Sequence, residues 1–268
     1  MQRIAVLLLA ALAAACSSTP PKPSPAAIAE LAPTGKLRVA INFGNPLLAS
    51  KDPATGEARG VSVDLSRELA GRLGVPLEII PYAAAGRVVA AVKTGAWDVA
   101  YVAIDPLRGV DMIQSPAYVV IEGSYLVPAD SPIRSNAEVD REGIRIVVGK
   151  GSAYDLFLSR EIKRAMLVRA PTSPEVVNVM LANRLEVSAG VRQQLEADAR
   201  HVPGVRLLAG RFMTINQAMA VPRGREAGAR YVRDFIEEMK ASGFVASSLI
   251  RHNVEGAAVA GPDDPRER

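Results

Sequence analysis

Short apolar, strand-like segments alternate with amphipathic helical ones twice along this chain, once between Leu37 and Ile104 and again between Ile144 and Glu196. Alternation of this kind requires crossover connections, and crossovers build parallel sheets whose two faces are covered by helices. In the first series residues 37–41 read as a strand, followed by a loop holding Asn42, Gly44, Asn45 and Pro46 and a turn cluster over 51–60. The spacing then predicts a helix: Ser62 is placed to cap it, Leu65, Leu69 and Leu73 fall four apart on one face, and Gly74 supplies a left-handed stop. Residues 77–82 are a second strand, 86–94 a helix with Val88, Val89 and Val92 on one side, and 98–104 a third strand.

The second series starts with a strand at 144–148. A helix follows from Ser152, where Ser152 and Asp155 form a Ser-x-x-Asp capping pattern. Next come a strand at 166–169 and a helix entered through Ser173-Pro174-Glu175, which sets a cap, a first-turn proline and an acid in order. A strand at 185–188 and a helix through Glu196 complete it. Two apolar segments frame this series, Tyr125 to Pro128 and Ala218 to Pro222, and they read as two chain crossings between lobes. Val232, Phe235, Ile236 and Met239 then repeat at helical spacing up to Gly243, a helix expected to return to the first lobe. The expected organisation is lobe 1 over 31–126 and 218–256 and lobe 2 over 127–217, an α/β chain with a cleft and a hinge.

The ends carry other information. An apolar run from Ile4 to Leu12 follows Arg3 and leads into Ala13-Ala14-Ala15-Cys16. This is the pattern of an exported leader, 1–15, and the run is too short to span a bilayer. Cys16 is the only cysteine in the 268 residues, so no internal disulfide staples the fold. Residues 16–30 are expected to form a proline-rich tether, and 257–268 a disordered tail. A formal net charge of +4 from 32 basic and 28 acidic residues is too balanced for a nucleic-acid partner.

The order of elements resembles the family 3 extracellular solute-binding proteins, typified by polar amino-acid receptors of ABC importers. The resemblance covers about 35–253. It rests on Gly60-Val61-Ser62-Val63-Asp64-Leu65 with Leu69 and Leu73-Gly74-Val75, on Val92 through Val99, on Arg108 followed by Ser115-Pro116-Ala117-Tyr118, and on Gly149-Lys150-Gly151-Ser152. It implies a two-lobed, type II periplasmic-binding fold, no cofactor, a monomer that works with an ABC permease, and a leader cysteine, Cys16, that becomes a lipid anchor to the membrane.

It also implies a site. In the family an arginine soon after the third strand holds the ligand's carboxylate, and the matching residue is Arg108, whose guanidinium forks two hydrogen bonds to a carboxylate. A surface arginine paired to Asp105 or Asp111 is the alternative. Ala103 lies in the segment that supplies contacts before the arginine, Asn45 sits in the first loop, and Ser152 opens a helix in the second lobe, as a ligand contact or simply as a cap. Phe43 and Tyr154 flank the ligand or pack. Where the family places an aspartate for the amino group, this chain reads Val187-Ser188-Ala189-Gly190-Val191-Arg192. Either Asp105 or Glu122 replaces that acid, or the ligand lacks an ammonium and Arg192 reaches a second carboxylate. Cyclohexadienyl dehydratases share the fold but use a general acid near the position of Gln194, and His201 and His252 are the only histidines, so metal and His-based chemistry is not expected. A ligand-sensing receptor for a signalling partner uses the same two lobes.

Overall fold

In the computed structural model residues 22–263 are described. The chain opens with α1 (Pro25–Leu31), capped by the Ser24 hydroxyl, which accepts the Ala27 amide at 3.1 Å, with Pro25 in its first turn. This corrects the expected tether over its last residues. A cap followed by proline is a helix start, and Leu31 buries itself against Gly228 of a later helix. Cys16 and the leader lie outside the described residues.

The first series forms β1 (Leu37–Asn42), a small hairpin of β2 (Ser50–Lys51) and β3 (Ala58–Arg59), α2 (Val61–Leu73), β4 (Leu77–Tyr82), α3 (Ala85–Ala90) running into a 3-10 turn, and β5 (Val99–Ala103). Gly74 stops α2 in the left-handed region at φ 68°. The cap of α2 is Gly60 at φ 119°, and Ser62 instead shares a hydrogen bond with the Tyr118 hydroxyl at 3.1 Å. A long strand β6 (Met112–Pro128) leads to β7 (Arg145–Gly149), α4 (Ala153–Glu161), β8 (Met166–Ala170), a 3-10 turn at Ser173–Glu175, α5 (Val176–Ala182), β9 (Val187–Val191), α6 (Arg192–His201) and β10 (Val205–Leu207). The chain ends with β11 (Met213–Pro222), α7 (Glu226–Ala241), α8 (Phe244–Arg251) and β12 (Ala258–Val259).

One sheet threads the molecule in the order β4-β1-β5-β11-β6-β9-β7-β8. Its two ends are parallel, β1 with β4 and β5 and β7 with β8 and β9, as the alternation demanded. The middle is antiparallel: β11 runs beside both β5 and β6, and β6 pairs β9 over Gly123–Leu126. The two long strands therefore join two α/β units. The segment Tyr125 to Pro128 lies with β9 and β10, and Ala218 to Ala220 with β5, so the pairing partners change before each of the segments expected to be crossings. Register shifts at Gln217/Ala218 and Ala218/Ala220 mark irregularities on β11 at this point.

Each unit has its own apolar packing. Trp97, Val88, Val102 and Met112 bury together under α3, and Val147, Val177, Met180 and Leu195 under α5 and α6. Trp97 donates its indole N–H to the Val88 carbonyl at 3.0 Å, so its polar edge is satisfied. The C-terminal stretch differs from the tail expected there. β12 adds to β6 at Val119 and Val120, the Ala260 amide donates to the Tyr118 carbonyl, and Arg233 pairs with Asp263 at 2.6 Å, contacts that hold 258–263 down although it has only small apolar side chains to bury.

Candidate functional site

The first unit presents a buried cation. β5 ends at Ala103, Asp105 accepts the Leu107 amide at 2.9 Å, and the resulting tight turn puts Arg108 at its head. Arg108 is only 2% exposed. Its guanidinium donates to the Ala103 carbonyl from Nη1 and to the Gly151 carbonyl from Nη2, each at 2.9 Å, while Nε is buried without a partner. Burial pushes its pKa down to about 10, against the pull of Asp105, so the group stays charged at neutral pH. Its charge meets no carboxylate in direct contact. The Asp105 carboxylate is taken by Arg160 of α4 at 2.9 Å, an ion pair that reaches across the cleft.

The second unit presents a turn and a helix start. Gly151, at φ 70°, follows β7 and leads into Ser152, whose hydroxyl accepts the Asp155 amide at 3.0 Å and so caps α4. Asp155 returns the bond to the Gly151 amide at 2.8 Å and pairs with Arg169. The turn packs directly on α3: a Cβ on Gly151 would lie 2.7 Å from the Gly86 Cα. Glycine at 151 is what lets the two backbones approach so closely, and a Cβ on Gly86 would also sit tightly, 3.1 Å from the Lys150 carbonyl oxygen. Tyr154, next to the cap, is buried, and its hydroxyl reaches no hydrogen-bond partner at standard geometry, with Ser152 and Ser173 beside it; burial raises its pKa.

Between these elements lies a cavity of about 50 Å³. Of the residues singled out from the sequence, Asn45, Ala103, Arg108, Ser152 and Tyr154 line it together. Phe43, Asp105 and Arg192 do not. Phe43 packs on the core of the first unit with Lys51 over its ring at 5.6 Å. Asp105 is turned to Arg160, and Arg192 opens α6 pointing at Glu122, at 2.9 Å, and at the Gly210 carbonyl. Glu122 is held by both Arg192 and Arg211, and the Arg211 hydrogen bond leads the effects that keep its carboxyl below the usual range. The roles held open for Asp105, Glu122 and Arg192 toward a ligand therefore find no support in the geometry.

The cavity also contains residues the sequence reading missed, among them Gln217, Ser173 and Ile215, together with Gln194. Gln217 was the most accessible of these to inspection, since it is a polar residue at the head of the apolar run 218–221, and the β11 irregularity aims it inward. Gln194 donates to Asp198 at 2.8 Å. Among the described residues no cluster of His, Cys, Asp and Glu is arranged to hold a metal ion, and no helix is long and apolar enough to cross a membrane.

Residues 37–251 match the family model for bacterial extracellular solute-binding proteins, family 3. The chain belongs to this family. Solved structures of the same fold include a solute receptor for L-cysteine of Neisseria gonorrhoeae, with TM-score 0.74 and 21% identity over 85% of this chain and 94% of that one. An amino acid ABC transporter substrate-binding protein from Streptococcus pneumoniae, bound to L-arginine, gives TM-score 0.72 and 20% identity over 87% of this chain and 99% of that one. A histidine kinase sensor domain with similarity to periplasmic binding proteins gives 0.73 and 17% over 84% and 98%. At such identities the likeness is one of fold. Curated proteins yield no match to this family 3 chain.

Proposed function

We propose that this family 3 protein is the substrate-binding component of an ABC importer and captures a small carboxylate-bearing solute between its two units. The observation that carries the reading is Arg108, a buried guanidinium whose Nε has no partner and whose charge is in contact with carbonyl oxygens only. A buried cation without a paired anion is costly, and an incoming carboxylate relieves that cost with charge-assisted hydrogen bonds. The first unit, over 31–126 and 218–256, offers Arg108 and Asn45, and the second, over 127–217, brings the Ser152 turn and Tyr154 over the ligand. Closure is favoured to the extent that the ligand contacts both units. The general acid of the dehydratases has its matching position near Gln194, an amide that cannot serve as one, and this favours capture without turnover. The membership in an extracellular family also supports export of the chain and anchoring through a lipidated Cys16, the single cysteine, placed after three alanines.

The test is a thermal-shift and calorimetric screen of the soluble part against small carboxylates, repeated with Arg108→Met. A ligand at a hundred times its dissociation constant adds about 2.7 kcal/mol to stability. Stabilisation of the parent and not of the variant is expected. Equal stabilisation of both takes Arg108 out of the site.

A further inference from the structure

We infer that the solute is a small carboxylate without an ammonium group, such as a short oxo, hydroxy or unsubstituted acid. This rests on the proposed capture of a carboxylate by Arg108 and concerns what else that ligand carries.

The argument is a charge inventory. Among the described residues lining the cavity, Arg108 is the one charged side chain, and none is Asp or Glu. The carboxylates nearest the lining residues along the chain or across the sheet are engaged elsewhere. Asp105 holds Arg160 and the Leu107 amide, Asp155 holds the Gly151 amide and Arg169, Glu122 holds Arg192 and Arg211, Glu196 faces Arg192 at 3.8 Å, and Glu175 accepts the Thr172 hydroxyl at 2.6 Å. Of the carboxylates next to the lining, Asp198 keeps a buried oxygen, Oδ2, without a partner. It stands one turn along α6 from Gln194, outside the cavity lining, and its burial favours the neutral acid. A zwitterion in this cavity therefore brings one negative charge that Arg108 meets and one positive charge that nothing meets. An ammonium buried without a counter-charge is expelled or deprotonated. A monoanion leaves no such residue of charge.

The remaining surface fits the same class. Val102, Ala103, Val191, Leu195 and Ile215 make much of the wall apolar, so the body of the ligand is short and aliphatic. The Tyr154 hydroxyl, which has Ser152 and Ser173 beside it but no partner at standard geometry, and the Gln217 amide are neutral donors suited to an oxo or hydroxyl oxygen. The volume of about 50 Å³ suits a body of few atoms.

The experiment compares matched pairs on the soluble part by isothermal calorimetry: propionate, lactate and pyruvate against alanine, and isovalerate against valine. The amine-free member of at least one pair should bind more than about tenfold tighter than its amino acid, since an unpartnered buried ammonium costs at least that much, and Arg108→Met should weaken that binding by about tenfold or more. If the amino acid binds as tightly or more tightly and still depends on Arg108, the inference fails while the capture reading stands. Loss of that amino-acid binding in Asp198→Asn would name the acid that overturned it. If no carboxylate of either kind binds, or Arg108→Met binds as tightly as the parent, the capture reading fails and this inference with it.

Discussion

The two sides of the cleft are built on different principles. On the first side the candidate functional element is a charge held against its preference: Arg108 is buried by the turn after β5 and bonded to carbonyls, with Nε unpartnered. On the second side the polar groups of the Ser152 turn already satisfy one another. Ser152 caps α4, Asp155 closes the Gly151 turn and meets Arg169, and what remains is shape, a glycine turn that fits against α3, and one idle hydroxyl on Tyr154. On the proposed capture reading, the contrast assigns affinity to the first side and geometry to the second. A group that still owes an electrostatic debt can reward a ligand, whereas a group that has discharged it can only position one.

Breaking the charged side should have the largest effect. Arg108→Met removes the carboxylate partner and should weaken binding by about 1.5–3 kcal/mol, roughly 10- to 150-fold, measured by calorimetry. The unliganded protein should change little in melting temperature, because relief of a buried charge offsets the two lost carbonyl bonds. The shape side is tested next by Gly86→Ala. A Cβ there would lie 3.2 Å from the Gly151 Cα and 3.1 Å from the Lys150 carbonyl, so the two units should fail to seat fully. Affinity should fall about tenfold while the free protein is as stable or slightly more so, since alanine suits a helix better than glycine by about 0.5–1 kcal/mol. A fall in stability without a fall in affinity would mean that this contact does not belong to closure.

The same contrast explains what was legible beforehand. Features written in a few adjacent residues could be read: the strand at 77–82, the Gly74 stop, and the Ser152-x-x-Asp155 cap all appear as expected. Arg108 is legible only through a family resemblance, and it lines the cavity. Pairings made across the chain could not be read. Asp105 and Arg160 lie 55 positions apart and Arg192 and Glu122 lie 70 apart, so nothing local showed that these charges would cancel one another outside the cavity. β6 was missed over most of its length because Ser115-Pro116 and Glu122-Gly123 break its apolar pattern, although pairing with β11 and β9 holds it as one strand. The strand β12 at 258–259 was missed for a related reason, since its edge of β6 supplies the hydrogen bonds that its own composition does not advertise.

A smaller effect is expected where a charge already has its partner. Arg160→Gln removes the ion pair to Asp105 across the cleft, and Arg160 is 39% exposed, so solvent screens much of the attraction. Affinity should drop by about 1 kcal/mol or less, with the difference between parent and variant shrinking as salt is added. A drop as large as that of Arg108→Met would move this pair from fastening the units to shaping the ligand site.

Ser152→Ala sharpens the comparison most, though its effect is the smallest on binding. The hydroxyl accepts the Asp155 amide, so its loss should cost about 1 kcal/mol of stability, as for other helix caps, read as a lower denaturant midpoint with unchanged slope. Affinity for the same carboxylate should stay within about twofold, because a hydroxyl already bonded to the helix offers little net gain to a ligand. The O–H hydrogen is the part of this group that capping leaves uncommitted. An affinity loss well beyond twofold would show that Ser152 donates that hydrogen to the carboxylate while its oxygen still serves the cap, and the second side would then contribute binding energy as well as shape.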